Sequence, residues 1–198
     1  MPPRPIPLAV LCSGSGTNLQ AILDSLDALG EARPAEVVLV ASDRADSPAL
    51  ERAKRRGIAT AIIERPDDGA SLVALLESHR ARLVALAGYL KLVPSAVTCR
   101  WRGAIVNVHP ALLPRFGGAG MYGRRVHEAV LAAGERESGA TVHYVDEAYD
   151  RGAILAQERV PVEPGDTADT LAARVLAAEH RLYPRTLITL ARSLTPST

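Results

Sequence analysis

Short runs of β-branched and apolar residues alternate, in the first half of the chain, with longer stretches in which apolar residues recur every three or four positions. The runs predict buried strands and the longer stretches predict amphipathic helices. The predicted strands are "IPLAVLCS", "EVVLVAS", "IATAII" and "RLVALAG", and the predicted helices are "TNLQAILDSLDAL", "SPALERAKRRG" and "DDGASLVALLESHR". This alternation is typical of a mostly parallel sheet covered by helices.

The second half continues with fewer helices and more loops. "GAIVNVH", "GATVHYV" and "AILAQERVPV" predict strands, and "GRRVHEAVLAAG" predicts a helix that ends at Gly134. A long last helix, "TADTLAARVLAAEHRLYPRTLITLARSL", has Asp166 and Thr167 as capping residues, and a kink or break is expected at Pro184. With no internal repeat or linker, the chain is predicted to form a single α/β domain, a doubly wound, mostly parallel sheet of Rossmann-like type.

Composition narrows the class of partner. Of 198 residues, 47% are hydrophobic and 23% charged, and the net charge of +1 gives no reason to expect nucleic acid as a partner. Cys12 and Cys99 lie too far apart for metal-ligand spacing or a disulfide framework. The segment "PPRPIP" lacks the apolar core of a signal peptide, and no apolar run approaches the ~20 residues of a membrane span. We therefore expect a cytoplasmic protein with no membrane partner and no metal.

The stretch "CSGSGTNLQ" lies between the first strand and the first helix, where backbone N–H groups can hold a phosphate. Its two glycines allow close approach of an anion and its short polar residues can donate hydrogen bonds: Gly14, Gly16, Ser15, Thr17 and Asn18. A dinucleotide fingerprint needs a third glycine where this chain has Leu19, so a monophosphate is favoured. Asp43, at the end of the second strand, keeps a nicotinamide-binding alternative open. A tight turn that binds nothing is the simplest alternative.

The strand "AIVNVHP" carries two polar residues on one face. Asn107 and His109 point the same way in an extended strand, at the carboxyl end where open α/β sheets bind ligands. An amide can donate to a developing oxyanion and an imidazole can transfer a proton, as an acyl-type transfer requires. Asp146, Glu147 and Asp150 in "HYVDEAYDRGAIL" are candidate partners of the histidine. Alternatively, His109 is a core histidine and the acids are solvated loop residues.

The other histidines carry weaker signals. His79 and His127 fall in predicted helices near arginines, which indicates solvated side chains. His143 alternates with apolar residues on a strand near the proposed site, so it either supports the acidic loop or is simply half-buried. His180 follows Glu179 in the last helix.

Five segments together resemble the glycinamide ribonucleotide formyltransferase family of purine biosynthesis, over nearly the whole chain. They are "LCSGSGTNLQAI", "SDRADSPALERAKRRGI", "LVALAGYLKLV", "IVNVHPALLP" and "SGATVHYVDEAYDRGAILAQ". Methionyl-tRNA formyltransferase and formyl-folate hydrolase share the Asn-x-His-Pro core, but they lack "GSGTNLQ" and have additional domains. The resemblance implies one formyltransferase domain over residues 1–198, with phosphate and nucleotide binding in the N-terminal half and folate binding and catalysis in the C-terminal half.

The resemblance also assigns roles to residues. It implies catalysis by Asn107, His109 and Asp150, and binding of the nucleotide and its phosphate by Gly16, Thr17, Asn18 and Glu179. It implies a folate pocket formed by Leu90, Lys91, Leu92, Val93, Asn107, Asp146, Glu147 and Asp150. The chain departs from the family at Asp67, Asp68 and Gly69, where some members place an arginine toward the folate, and Arg65 is the nearest arginine.

The implied reaction is attack by the amine of glycinamide ribonucleotide on the formyl carbon of 10-formyltetrahydrofolate, the co-substrate. Asn107 and protonated His109 would stabilise the oxyanion, and Asp150 would raise the histidine pKa. The alternatives are a 10-formyltetrahydrofolate hydrolase and a non-catalytic binder of phosphorylated metabolites. The expected partners are the two small-molecule substrates, in a monomer or homodimer. The pattern leaves open whether the loop 115–124 moves during turnover.

Overall fold

The computed structural model describes residues 4–194, which contain seven strands and six α-helices. The strands are β1 Ile6–Cys12, β2 Ala35–Ser42, β3 Ala59–Ile62, β4 Leu83–Leu86, β5 Ile105–His109, β6 Glu137–Tyr144 and β7 Ile154–Pro161. The helices are α1 Thr17–Asp27, α2 Pro48–Arg55, α3 Gly69–Ser78, α4 Ser95–Arg100, α5 Arg124–Ala132 and α6 Ala168–Leu194. Within this part of the chain, no helix is both long and apolar enough to cross a bilayer.

All seven strands form one sheet in the order β3-β2-β1-β4-β5-β6-β7. The first five are parallel, and β6 and β7 are antiparallel to their neighbours, which confirms the predicted mostly parallel α/β fold. The chain winds outward from β1 to β3 and then returns to place β4 on the other side of β1. A crevice is expected at the carboxyl ends of strands that flank such a switch point, here β1 and β4.

The sheet is buried on both faces, which explains why its central strands read as unbroken apolar runs. Leu8 and Val10 of β1 belong to the core cluster shared with α1, α2 and α6, whereas Ala9 and Leu11 belong to the one shared with α3 and α4. All four side chains are fully buried. The position of each helix on its face therefore follows from the two-residue period of β1.

Two local features differ from the sequence-based expectation. Helix α4 was not predicted because its six residues are too few for a helical period; the burial of Val97 and of Trp101, which donates from Nε1 to the Ala81 carbonyl at 3.0 Å, accounts for it. The expected break at Pro184 is absent, since α6 continues unbroken to Leu194. Extensive tertiary packing of α6 offsets the hydrogen bond that proline cannot make.

Tyr183 ties α6 to the centre of the sheet. Its side chain is fully buried, and its hydroxyl lies 3.0 Å from the carbonyl oxygens of Leu86, at the end of β4, and of Val106, near the start of β5. We expect Tyr183→Phe to lower the free energy of unfolding by about 1–2 kcal/mol, because two buried acceptors lose a donor. Urea denaturation would measure this, with Tyr122→Phe, at an exposed tyrosine, as the control. Equal stability of the two variants would contradict the assigned role.

Candidate active site

The segment between β1 and α1, residues 13–16, forms the glycine loop. Gly16 has φ +72 and a Cβ there would lie 2.7 Å from the Ala49 Cβ, so this glycine is required by backbone conformation and by contact with α2. Gly16 and Thr17 do not line the central cleft described below, whereas Ser15 and Asn18 do. The predicted phosphate role of Gly16 and Thr17 could thus involve only their main chain, and it stays a prediction.

Asn18 and Glu179 meet at one wall of the cleft. The Asn18 Nδ2 donates to Glu179 Oε2 at 2.6 Å, and this contact joins α1 to α6 across 161 positions of sequence. Glu179 is buried, and burial raises its carboxyl pKa to about 7, although the Asn18 hydrogen bond acts in the opposite direction. The Asn18 Oδ1 is buried and has no hydrogen-bond partner among residues 4–194. Both side chains thus retain polar capacity at the cleft.

The strand β5 places Asn107 and His109 side by side, as predicted from their spacing, and brings them to Asp150. The His109 Nδ1 lies 3.4 Å from Asp150 Oδ2, and its Nε2 lies 2.7 Å from the main-chain oxygen of Phe116. A carbonyl oxygen only accepts, so Nε2 carries a hydrogen. Nδ1 is therefore the nitrogen that can gain or lose a proton, next to the carboxylate.

The environment of His109 corrects one expectation. Burial lowers the pKa of His109 below its ordinary value, and this effect outweighs the opposing effects of Asp150 and of the hydrogen bond to Phe116. The expectation that Asp150 raises the histidine pKa is right about the direction of that single interaction. It is wrong about the net pKa of His109, which is lowered because an imidazolium at this position loses most of its hydration.

Asp150 is held from three sides. Its Oδ2 accepts a hydrogen bond from the Gly118 N–H at 2.9 Å, and its Oδ1 lies 3.4 Å from His143 Nε2, in addition to the contact with His109. Burial alone would raise the pKa of Asp150, but His143, His109 and Gly118 together bring it below the ordinary value. The residue has φ +56, a conformation that aspartate adopts more readily than most residues. The carboxylate is therefore ionised and fixed in position.

His143 is a site residue that the sequence left open. It is buried on β6 opposite Asn107, whose Nδ2 lies 3.2 Å from His143 Nε2. Its Nδ1 lies 2.8 Å from its neighbour's carbonyl oxygen, that of Tyr144, so Nδ1 carries a hydrogen, and Nε2 faces both the Asn107 amide and Asp150. The alternation of this strand was the available signal, and the structure favours the supporting role over simple half-burial.

His127 contradicts its predicted solvation. It lies on the buried face of α5 with Val126 and Val130, and only 4% of its surface is exposed. Burial lowers its pKa, as does the nearby His109. The arginines beside it in sequence point outward, so they gave a misleading signal about the face to which this histidine belongs.

The three catalytic candidates, together with Asn18 and Glu179, line a cleft of about 500 Å³ at the carboxyl edge of the sheet. Its lining includes Ser15, Asn18, Tyr89, Leu90, Asn107, His109, Tyr122, Tyr149, Asp150, Glu179 and the glycine-rich segment 118–120. A narrow pocket of about 40 Å³ shares Asn107, Tyr89, Tyr149 and Asp150 with the cleft, and adds Lys91, Leu92, Val93, His143 and Asp146. Of the predicted folate residues, Glu147 lines neither cavity.

The predicted folate loop after β4 contains both exposed and anchored residues. Leu90 and Leu92 are about half exposed, whereas Val93 is buried in the core. The Lys91 Nζ lies 3.9 Å from Asp43 Oδ2, so Asp43 faces this lysine and lines neither cavity. The nicotinamide alternative, which needs an acid at the ligand, loses its main support.

Arg65 is engaged away from the cavities. Its guanidinium pairs with Asp68, the residue that caps α3 by accepting from the Ser71 N–H. The arginine side chain is exposed, and neither cavity includes it. The structure therefore gives no support for Arg65 as the replacement of the family's folate-binding arginine.

A family model described as formyl transferase matches residues 7–187. The chain belongs to the formyl transferase family. A solved glycinamide ribonucleotide transformylase 1 from Symbiobacterium toebii is 39% identical, with a TM-score of 0.87 over 96% of this chain and 89% of that one. A formyltetrahydrofolate deformylase from Pseudomonas syringae is 20% identical with a TM-score of 0.85, over 98% of this chain and 64% of that one, so it shares the fold.

Curated formyl transferase relatives are longer than this chain. The chloroplastic phosphoribosylglycinamide formyltransferase of Arabidopsis thaliana is 44% identical over 91% of this chain and 64% of its own length. The trifunctional purine biosynthetic protein adenosine-3 of Drosophila pseudoobscura pseudoobscura is 42% identical over 93% of this chain, which spans 14% of that protein.

Metal ligation is the last property of this formyl transferase site to consider. Among residues 4–194, no group of three or more histidine, cysteine, aspartate or glutamate side chains is arranged to hold a metal ion.

The raised pKa of Glu179 predicts a pH-dependent stability. The pKa of Glu179 is about 7 in the folded state, against an ordinary 4.5. Proton binding by this carboxyl therefore adds its full amount to the free energy of unfolding below pH 4.5, and this amount is lost as the pH rises through 7. Glu179→Gln stays neutral, so it should be more stable than the wild type at pH 8, by at most about 3 kcal/mol, and equal near pH 4.5.

Urea denaturation from pH 4.5 to 8 would measure the difference. Glu31→Gln, at an exposed position, is the control and should show no such trend. A difference between Glu179→Gln and wild type that is independent of pH would refute the buried, proton-binding carboxyl.

Proposed function

We propose that this chain transfers the formyl group of 10-formyltetrahydrofolate to the amine of glycinamide ribonucleotide, a reaction of purine biosynthesis. The observation that carries the proposal is the meeting of Asn107, His109 and Asp150 at the junction of two cavities. One cavity leads to the N-terminus of α1 and the other to the loop after β4. A phosphorylated amine and a formyl-folate entering from the two sides would meet at these three residues.

The narrow cavity suits the folate end. The exposed Leu92 of the loop after β4 offers an apolar surface, and the turn that carries Asp146 and Tyr149 forms the opposite wall. Because the narrow cavity is small, a pterin would have to displace this turn or the side chains of the loop. The wider cleft, which Asn18 and Glu179 line, suits the ribonucleotide.

The reaction can be followed atom by atom. The substrate amine attacks the formyl carbon, a C–N bond forms, and the carbonyl oxygen becomes an oxyanion. The Asn107 Nδ2 carries two hydrogens, one of which faces His143, so the other can donate to the oxyanion, and the positive charge of protonated His109 stabilises it further. One proton then leaves the attacking nitrogen and one reaches N10 of the folate as its C–N bond breaks. Asp150, beside His109, stabilises the imidazolium during these transfers.

Hydrolysis of the formyl-folate is the second candidate, favoured by the shared fold of the deformylase. The two reactions differ in the nucleophile, and the unpaired Asn18 oxygen and the neighbouring Glu179 carboxyl favour a nucleophile that carries a sugar. Mixing the protein with formyl-folate and glycinamide ribonucleotide, and following the folate absorbance, tests the proposal. Equal rates with and without the nucleotide would establish the hydrolase instead. Retention of biological role after loss of His109 would indicate a non-catalytic binder.

Location and assembly remain predictions. The Arabidopsis relative is described as chloroplastic, so relatives of this chain differ in compartment. We infer a cytoplasmic protein, monomeric or homodimeric, acting on small molecules.

Asp150→Asn tests the coupling of the carboxylate to His109. The substitution keeps the shape and tolerates φ +56, but removes the charge that raises the histidine pKa, so that pKa should fall further. We expect kcat to fall about a hundred-fold at neutral pH, and the alkaline limb of its pH profile to move to lower pH. Substrate KM values should change little, because the lost interaction belongs to the transition state.

The measurement is kcat against pH for both proteins. Glu147→Gln, which removes a charge from the same turn outside both cavities, is the matched control and should behave like the wild type. An Asp150→Asn variant whose alkaline limb has not moved would separate Asp150 from His109.

A further inference from the structure

The cleft lacks a permanent cation for a phosphorylated substrate. Among the described residues that line it there is no lysine or arginine, and the ionisable groups include the acids Asp150 and Glu179. A phosphate dianion in this cleft would therefore depend on main-chain N–H groups and on charged side chains that lie behind the residues lining the cleft. The glycine loop and the helix behind it show how both are supplied.

The carbonyl groups of the glycine loop are held from the side of α2. The Ser47 hydroxyl donates to the Gly14 oxygen at 2.8 Å, and the Arg52 Nε donates to the Ser15 oxygen at 2.9 Å. In a trans peptide the C=O and the following N–H point in opposite directions. Fixing these two carbonyls toward α2 therefore turns the N–H groups of Ser15 and Gly16 away from it, and Ser15 lines the cleft.

The donors that result are unused. Within residues 4–194, none of the main-chain N–H groups from Gly14 to Leu19 has an acceptor in the protein, and α1 has no side-chain cap. Asn18, nine-tenths buried at the same helix end, has an unpaired oxygen at the cleft, which can accept a hydrogen bond from a hydroxyl group of the same ligand. A row of free donors at the positive end of an 11-residue helix is suited to bind an anion.

Arg52 is the α2 residue whose guanidinium contacts the glycine loop. Its Nη1 donates to the Gln20 side chain at 3.1 Å, and no carboxylate of residues 4–194 lies within 4.0 Å of its guanidinium. By contrast, Lys54 pairs with Glu51 and Arg56 pairs with Asp24. The Arg52 stem passes so close to Gly16 that a Cβ there would lie 3.3 Å from its Cδ. Its charge thus stays unneutralised directly behind the loop.

We propose that Ser47 and Arg52 are positioning residues of the phosphate site: they orient the N–H groups of the glycine loop toward the substrate phosphate, and Arg52 supplies its positive charge from behind. The proposal rests on the proposed function for the identity of the substrate. It adds to the site two residues that do not touch the substrate and act through the loop.

Arg52→Met tests this, since it removes the charge and both hydrogen bonds but keeps an unbranched stem. The KM for glycinamide ribonucleotide should rise about ten-fold or more, with the KM for formyl-folate and kcat at saturation near wild type. With glycinamide riboside, which lacks the phosphate, the variant and wild type should have the same kcat/KM. A merely structural role would affect both substrates alike.

Three further variants sharpen the test. Arg55→Met removes the same charge from the same helix at an exposed position and should leave the nucleotide KM unchanged. Arg52→Lys should recover part of the loss. Ser47→Ala, which frees only the Gly14 carbonyl, should raise the nucleotide KM and not the folate KM. Should Arg52→Met fail to fold, the Lys and Ser47 variants decide the question.

Calorimetric binding of ribose 5-phosphate separates this proposal from the proposed function, because it requires no turnover. If the wild type binds this probe and Arg52→Met binds it about ten-fold more weakly, the positioning role stands even where no formyl transfer is seen. An unchanged nucleotide KM and an unchanged probe affinity in Arg52→Met, or an equal loss with the riboside or in Arg55→Met, would overturn it.

Discussion

The buried carboxylate of Asp150 is the interaction on which the geometry of the site depends. One oxygen accepts from the Gly118 N–H and faces His109, and the other faces His143, so a single charge connects the loop after β5, the strand β6 and the turn before β7. A buried carboxylate without such partners would be costly. Each of these three segments is therefore kept in place by the others, and the left-handed conformation of Asp150 is maintained by the contacts around it.

His109 sits where two effects oppose each other. Burial favours the neutral ring, whereas a carbonyl oxygen at Nε2 and a carboxylate at Nδ1 are both acceptors, which suits a ring with two N–H groups. The hydrogen-bonding partners thus fit the imidazolium even though burial lowers its pKa. An oxyanion forming near the ring would add a third favourable interaction with the charged form. Such a balance allows a proton to move during the reaction without a large change in free energy.

Sequence periodicity predicted what depends on local geometry. The two-residue period of β5 placed Asn107 and His109 on one face, and the β-α alternation predicted the parallel sheet. Sequence periodicity could not choose among the three acids of one turn, because that choice depends on how the turn folds back on β5. The family resemblance selected Asp150. His127 was misplaced because its neighbours in sequence are arginines, while its burial is decided by the packing of α5. Ser47 and Arg52, behind the glycine loop, gave no signal; in the case of Arg52, the segment "ERAKRR" has the composition of a solvated helix face.

A carboxyl group lies at each end of the cleft, and its state of ionisation is determined by different neighbours at the two ends. At the catalytic end, a carboxylate is kept charged by imidazoles and an N–H group close to it. At the nucleotide end, Glu179 has only the Asn18 amide, and burial raises its pKa to about 7. A carboxyl group that is partly neutral at physiological pH repels a neighbouring phosphate less than a permanent anion would, and when protonated it can also donate a hydrogen bond to a sugar hydroxyl. Glu179 has no cationic partner among the described residues, which fits the proposal that an anion binds at this end of the cleft while Asp150 stays ionised at the other.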